Sequence, residues 1–346
     1  MAKGCGDLAA ASWPRARHWR RASIYSYTIM GFKTFSSGDA AADRRASFAE
    51  TLAHLGDAAG AVEALKSALE LSPDWAAGWY RLGEYYEATG EADLALAAWR
   101  KAMALDPSDP FGAAMKCDLV ARVDPITDRM PAAFVETLFD QYAPRFEKSL
   151  REGLGYRAPE LIAEGLARAG LRHADAALDL GCGTGLMGVL LRPLAAQLVG
   201  YDLSAAMLSK AQEKGCYDRL EKCDITELAL IGPSYDLIVA ADVFNYIGAL
   251  EQVIGWCADA LLPEGRLCFT VEAGDAPLRL MASRRFTHSQ GYITDLLAQA
   301  GFAPPQITEA PIRQDRGEDV MGLIVFATPA PRQAPLRDDD RNEVMA

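Results

Sequence analysis

The sequence has few of the residues that build metal centres, and none of them lies close together. Its four histidines (His18, His54, His173, His288) and seven cysteines (Cys5, Cys117, Cys182, Cys216, Cys223, Cys257, Cys268) are scattered, with no CxxC pair. That spacing predicts no metal, and it predicts reduced, mostly buried thiols of a cytoplasmic protein. Apolar runs approaching the roughly 18 residues of a membrane-spanning helix are also missing. Basic surplus is absent: 35 Lys and Arg stand against 47 Asp and Glu, a formal charge of −12, which argues against a broad electrostatic grip on nucleic acid. Only residues 1–37 run basic, with Lys3, Arg15, Arg17, Arg20, Arg21 and Lys33 against Asp7. They lack the apolar centre of a secretory signal. The segment 1–40 reads as a disordered leader, or as an extension ahead of a start at Met30.

What the chain does have is apolar mass. Half of its 346 residues are hydrophobic, enough for two domains of ordinary size. From about Asp43 to Asp109 the sequence repeats with a period of 34: Gly56 returns as Gly90, Ala61 as Ala95, Leu65 as Trp99, Ala68 as Ala102 and Pro73 as Pro107. Small and bulky positions agree in both copies, and the second adds Trp79, Leu82, Gly83 and Tyr86. This resembles the tetratricopeptide repeat, in which two antiparallel helices interlock and stack on the next pair. Residues 41–123 are therefore expected to form a helical unit, closed by a helix at Phe111–Val120. The resemblance implies a protein partner or a covered apolar face. Two copies are fewer than the three or so that usually stand alone.

After a turn-rich linker, DPITDRMP at 124–131, the pattern changes. Helices are expected at 132–150, broken at Pro144, and at 157–170. Strands follow at 176–180, 197–202, 220–225, 235–241 and 265–271, with helices at 203–214 and 248–262 between them. Near-continuous apolar strands alternating with helices predict an α/β fold, a parallel sheet covered on both faces. The ending differs. After a helix at 289–300, strands at 306–313 and 320–328 adjoin through QDRGED and should pair as an antiparallel hairpin. The acidic tail, 329–346, is expected to be disordered.

Ala176–Gly188, AALDLGCGTGLMG, is the stretch with chemical content. A strand ends in an acid and opens into glycines before a helix, and such a loop admits close backbone approach by a nucleotide-like ligand. Gly183, Gly185 and Gly188 satisfy GxGxxG, with Asp202 near the ribose-binding distance of a dinucleotide site. Three features point elsewhere: Asp179 ahead of the glycines, the acid-bearing third strand at Asp224, and the closing hairpin. Asp179-Leu-Gly-Cys-Gly-Thr-Gly resembles motif I of class I S-adenosylmethionine-dependent methyltransferases. LFDQYAPRFEKSL, LGYRAPEL, GCYDRLEKCDI, DVFNYIGAL and RRFTHSQGYI are similar to methyltransferases that carry tetratricopeptide repeats and to the Williams–Beuren region group.

The resemblance covers 131–328 and implies a seven-stranded Rossmann-like methyltransferase sheet, its last strand antiparallel. It implies S-adenosylmethionine as cofactor, with Gly181, Gly183 and Gly185 beneath its methionine and ribose, and Asp179 on its ammonium side. Asp202 and Leu203 would meet the ribose, Asp224 and Ile225 the adenine, and Asp242 and Val243 would follow the fourth strand. A lid helix would bring Tyr142 to the cofactor. Tyr156, Asn245 and Tyr246 would face the acceptor, and His288 is the candidate general base. DVFNY is not the tetrapeptide of amino-methylating DNA enzymes, so no DNA acceptor is expected. The rival readings are an NAD-dependent oxidoreductase and an interaction protein whose methyltransferase fold only senses cofactor. No membrane attachment is expected, and the oligomeric state stays open.

Overall fold

The structure, a computed structural model, describes residues 35–121, 129–315 and 317–331. The expected leader and tail lie largely outside these residues. The chain divides into two compact units between Arg122 and Val123. No described helix is long and apolar enough to cross a membrane.

The first unit is all helix: α1 Ala40–His54, α2 Ala58–Leu71, α3 Ala76–Thr89, α4 Ala92–Leu105 and α5 Ala113–Ala121. Aspartates cap the starts of α1, α2 and α5. Asp39 accepts from Ala41 N and Ala42 N, Asp57 from Gly60 N, and Asp109 from Ala113 N and Ala114 N, satisfying amides that have no intrahelical partner. The period of 34 has a packing cause. A Cβ at Gly83 would lie 2.3 Å from Trp99 Nε1, so α3 and α4 approach through the space that glycine leaves. Trp99 is fully buried, and its indole donates to Tyr80 O at 3.1 Å. One period earlier the corresponding positions are Ala49 and Leu65, both fully buried in one cluster.

The second unit begins with α6 Ala132–Tyr142, α7 Phe146–Gly153 and α8 Ala158–Arg168. Then β1 Ala174–Leu180, α9 Leu186–Leu191, β2 Ala195–Asp202, α10 Ala205–Lys214, β3 Arg219–Lys222 and β4 Tyr235–Ala240 alternate. A single 3-10 turn, Phe244–Tyr246, precedes α11 Glu251–Ala260 and β5 Leu261–Ala273. The rest is β6 Leu278–Leu280, β7 Phe286–His288, α12 Gln290–Gln299, β8 Gln306–Asp315 and β9 Glu318–Ala327.

Strands β3, β2, β1, β4 and β5 lie side by side in parallel. β9 joins the free edge of β5 antiparallel and carries β8 as its hairpin partner. This is the expected seven-strand arrangement with its antiparallel member. Two short strands raise the total to nine. β7 pairs with β5 at Glu272 and Ala273, past Phe269 where β4 stops, and β6 pairs with β7. β5 also starts earlier than the sequence suggests. Pro263 does not stop a helix there; it sits in the irregular opening of the strand, beside a register shift at Tyr235 and Leu237.

Side chains alternate across the sheet as a strand requires. Leu178, Leu180, Ile238, Phe269 and Val271 pack with α11 and α12 on one face. Ala177, Leu237, Val239 and Cys268 pack with α8 and α9 on the other. Both faces are therefore dry, and polar chemistry is confined to the edge where the parallel strands end.

Candidate functional site

At that edge the loop after β1 turns on three left-handed glycines, Gly181 (φ +65°), Gly183 (φ +54°) and Gly185 (φ +86°). Their empty Cβ positions differ. A Cβ at Gly181 would strike Val243 Cγ2 at 2.4 Å, and one at Gly185 would come within 3.1 Å of Tyr217. Gly183 faces open space, with only Phe146 Cε1 at 4.0 Å. Two of the three are thus used for packing, and one leaves backbone free for close approach. Thr184 Oγ1 in the same loop is buried without a hydrogen-bond partner.

Two carboxylates bracket the loop. Asp179, next to last in β1, is buried and accepts from Tyr217 OH at 2.6 Å. Burial pushes its carboxyl up to about 7, against the pull of the Tyr217 hydrogen bond, and the Asp202 charge adds to the rise. Asp202 ends β2 and accepts from Gly183 N and Ser204 N, each at 2.8 Å. Burial pushes it to about 6, even though Ser204 and Gly183 favour its charged form. No cation pairs with either carboxylate among the described residues.

The remaining cofactor-side expectations lie further along the edge. Asp224, after β3, uses Oδ1 to accept from Thr226 N (2.8 Å) and Thr226 Oγ1 (2.7 Å). Ile225 packs on the α11 side of the sheet, and Leu203 is half-buried. Residues 132–153 are tied to this edge by side chains on three elements. Lys222 of β3 meets Glu136 at 2.5 Å, Asp140 accepts from Ser204 Oγ (2.5 Å) and Ala206 N (3.2 Å), and Lys214 of α10 pairs with Glu147. Tyr142 is buried at the end of α6. An aromatic row, Phe146, Phe139 and Tyr246, runs with ring centroids 6.0 and 5.3 Å apart, from beside Gly183 to the turn after β4.

Beyond β4 the chemistry changes. Asp242 takes a left-handed φ of +59° and accepts from Asn245 Nδ2 (3.0 Å) and Arg313 Nη1 (3.2 Å). Glu272 of β5, buried, accepts from Arg285 Nη1 at 3.3 Å and from Arg313 Nη2. Arg285 also donates to Tyr246 OH at 2.8 Å. Burial raises the Glu272 carboxyl, but Arg313 and Arg285 outweigh it and hold it below its ordinary value. Burial wins at Asp242, which is raised despite the same two guanidiniums. Asn245 is fully buried; its amide nitrogen faces the acids and its Oδ1 has no partner. Tyr156 OH meets Ala241 O at 3.5 Å.

His288 stands apart from these groups. It pairs with Ala273, so it faces α11 and α12, while Glu272 faces the opposite side. Its ring stacks on Tyr292 (5.8 Å, 17°), and Nε2 meets Gly248 O at 2.8 Å. A carbonyl only accepts, so Nε2 carries the proton and Nδ1, buried and unpartnered, keeps a lone pair. Burial lowers its basicity.

Sequence reasoning missed Tyr217, Glu272, Arg285 and Arg313. Tyr217 lies inside the GCYDRLEKCDI phrase and Arg285 inside RRFTHSQGYI, and these were the available signals.

This loop and its flanking strands are what a family comparison matches: residues 178–267 fit the model described as methyltransferase domain. Over these residues the chain is similar to a methyltransferase domain. Residues 76–109, one full period of the helical unit, fit the tetratricopeptide repeat. Among curated relatives, methyltransferase-like protein 27 of Homo sapiens is 32% identical over 172 residues, 47% of this chain and 66% of that protein. Malonyl-[acyl-carrier protein] O-methyltransferase of Enterobacter lignolyticus is 27% identical over 142 residues, 41% of this chain and 55% of that protein. The chain thus spans less than two thirds of the length of these relatives. Among solved structures, magnesium protoporphyrin IX methyltransferase of Synechocystis PCC 6803 with bound SAH is 19% identical, with TM-score 0.45, over 57% of this chain and 99% of that one. The matched residues 178–267 include the glycine loop, Asp179, Asp202, Asp224 and the turn after β4.

Proposed function

We propose that the protein is an S-adenosylmethionine-dependent methyltransferase acting on a small-molecule or protein acceptor. The observation that carries this reading is the pair of shielded carboxylates, Asp179 and Asp202, beside an open glycine loop with no cation of their own. A cofactor bearing an ammonium and a sulfonium offers the missing positive charge. The dinucleotide alternative would bring an anionic pyrophosphate to the same loop. Gly188, the third glycine of the dinucleotide match, also has its Cβ space filled by Tyr217.

In this reading Asp179 holds the ammonium side, Gly183 lets the backbone approach, and Asp202 with Leu203 meets the ribose. Gly181 and Gly185 shape the loop, and Asp224 and Ile225 border the adenine. Asp242 and Val243 follow β4, and Tyr142 closes the edge from α6. The bound cofactor supplies a methyl group already activated by its positive sulfur. The chain's own tasks are to bind, to align the acceptor behind that methyl group and to exclude water. Asn245 Oδ1 offers an acceptor substrate a hydrogen-bond acceptor, and Tyr246 and Tyr156 flank it. His288, the candidate base, is fully buried on the α11–α12 side, so it removes an acceptor proton only where the acceptor reaches Nδ1 on that side. The O-methyltransferase names of several relatives favour oxygen as the methylated atom.

The test compares melting temperatures with S-adenosylhomocysteine and with NADH, then follows a labelled methyl group from S-adenosylmethionine into a host lysate. Stabilisation by S-adenosylhomocysteine and a labelled product are expected. A shift with NADH alone overturns the cofactor assignment; binding without any labelled product returns the protein to the cofactor-sensing alternative. Replacing His288 by Ala should lower turnover more than cofactor affinity, and equal activity would remove it from the chemistry. The tetratricopeptide-like unit is proposed to hold a protein partner.

A further inference from the structure

Three glycines, two at the start of α9 and one in β2, leave space for one phenol ring. A Cβ at Gly188, in α9, would lie 2.2 Å from both Cζ and OH of Tyr217; one at Gly200, in β2, 2.9 Å from its Cε1; one at Gly185, at the head of α9, 3.1 Å from its Cε2. Any side chain at Gly188 would push the ring away. Seated there, Tyr217 donates its hydroxyl to Asp179 Oδ2 at 2.6 Å, and no described group bonds Oδ1. Burial and the neighbouring Asp179 charge push the phenol far up, so it remains a donor at any working pH.

We infer that Tyr217 is a positioning residue of the cofactor site: the glycine-lined slot fixes its ring, and its hydroxyl holds Asp179 Oδ2 so that Oδ1 is presented to the ammonium end of S-adenosylmethionine. The inference rests on the cofactor reading above. It also gives the GxGxxG spacing another cause, since Gly185 and Gly188 make room for a side chain of the protein itself.

The hydrogen bond favours the charged form of Asp179, so its loss has a pH signature. The groups that share this environment are Asp202 at the end of β2, Cys182 in the loop, and Cys216 beside Tyr217. Lys214, whose stem lies 3.3 Å from the Cβ position of Gly185, pairs with Glu147 of α7. Burial keeps both thiols neutral, which leaves Asp179 and Asp202 as the groups able to titrate near neutrality.

The experiment measures S-adenosylhomocysteine affinity of the full chain by calorimetry between pH 6 and 9, for the wild type, Tyr217→Phe and Asp179→Asn. Phenylalanine keeps the ring in its slot, so the melting temperature should stay within about 3 °C. The rise in affinity with pH should move up by about one unit, giving binding about fivefold weaker at pH 7 and nearly equal at pH 9. In Asp179→Asn the rise above pH 7 should disappear, leaving only the smaller one of Asp202 near pH 6. An unshifted profile in Tyr217→Phe, or an equal loss at every pH, overturns the positioning role, and so does a full rise above pH 7 that survives in Asp179→Asn. A wild type that does not bind S-adenosylhomocysteine fails at the earlier step and takes the cofactor reading with it.

Discussion

Two pairs of shielded carboxylates stand at the same edge of one sheet and are handled in opposite ways. Asp242, after β4, and Glu272, near the end of β5, share two guanidiniums from Arg285 and Arg313. Asp179 and Asp202, at the ends of β1 and β2, have hydrogen bonds but no cation among the described residues. In the first pair the guanidiniums hold Glu272 low and offset part of the burial cost at Asp242. The second is left raised toward neutrality, a state that a cationic ligand relieves. Stability is thus concentrated at one end of the edge, and binding potential at the other.

The largest expected effect is at the guanidinium-paired end. Arg313→Ala leaves Glu272 and Asp242 buried with half their positive charge, and chemical denaturation should show a loss of about 3–5 kcal/mol. A loss below about 1 kcal/mol would mean that water reaches these acids, and the contrast between the two ends would fail.

At the other end the sign reverses. The folded-state pKa of Asp179 is raised to about 7 from an ordinary 3.8, so its contribution to stability is present at acid pH and is lost as pH rises through 7. Asp179→Asn, without cofactor, should therefore stabilise the protein by about 2 kcal/mol at pH 8 and by almost nothing at pH 4. Its affinity for S-adenosylhomocysteine should fall at least tenfold at pH 8. A variant destabilised at pH 8 would show that the carboxylate has a hidden partner.

Smaller effects sharpen the boundary between the two ends. Asp202→Ala should weaken S-adenosylhomocysteine by about tenfold with the fold intact, as judged by an unchanged circular dichroism spectrum. Unchanged affinity would remove the ribose assignment. Asp224→Ala should cost only about 1 kcal/mol of stability in a thermal melt, the loss of two local turn bonds to Thr226.

What the sequence disclosed follows from how far apart the cooperating residues lie. β1, β2, β4 and the β8–β9 hairpin were legible because each is a continuous apolar or turn-bounded run. The 34-residue period announced the helical pairs because small and large positions recur together. β6 and β7 span three residues each, too short for any periodicity to register, and Pro263 misled because its strand context comes from pairing with Tyr235 and Leu237 rather than from its neighbours in sequence. The acids after the strands were visible one by one. Their partners were not, because Arg285 and Arg313 look like solvated surface charges until β7 pairs with β5 and β8 joins the sheet through β9. Tyr217 was hidden for the same reason: the glycines that seat it come from α9 and β2, and two of them mimic a known motif.

The Gly83–Trp99 contact in the helical unit constrains how that unit can change over time. Alanine at position 83 would enter the indole, at 2.3 Å, whereas the earlier copy holds alanine against a leucine at the matching positions. Converting one arrangement into the other by single substitutions passes through an overpacked intermediate or a cavity of about 3–5 kcal/mol. The two positions are therefore expected to change as a pair, and an isolated exchange at either one marks a helical unit that has lost its interlock.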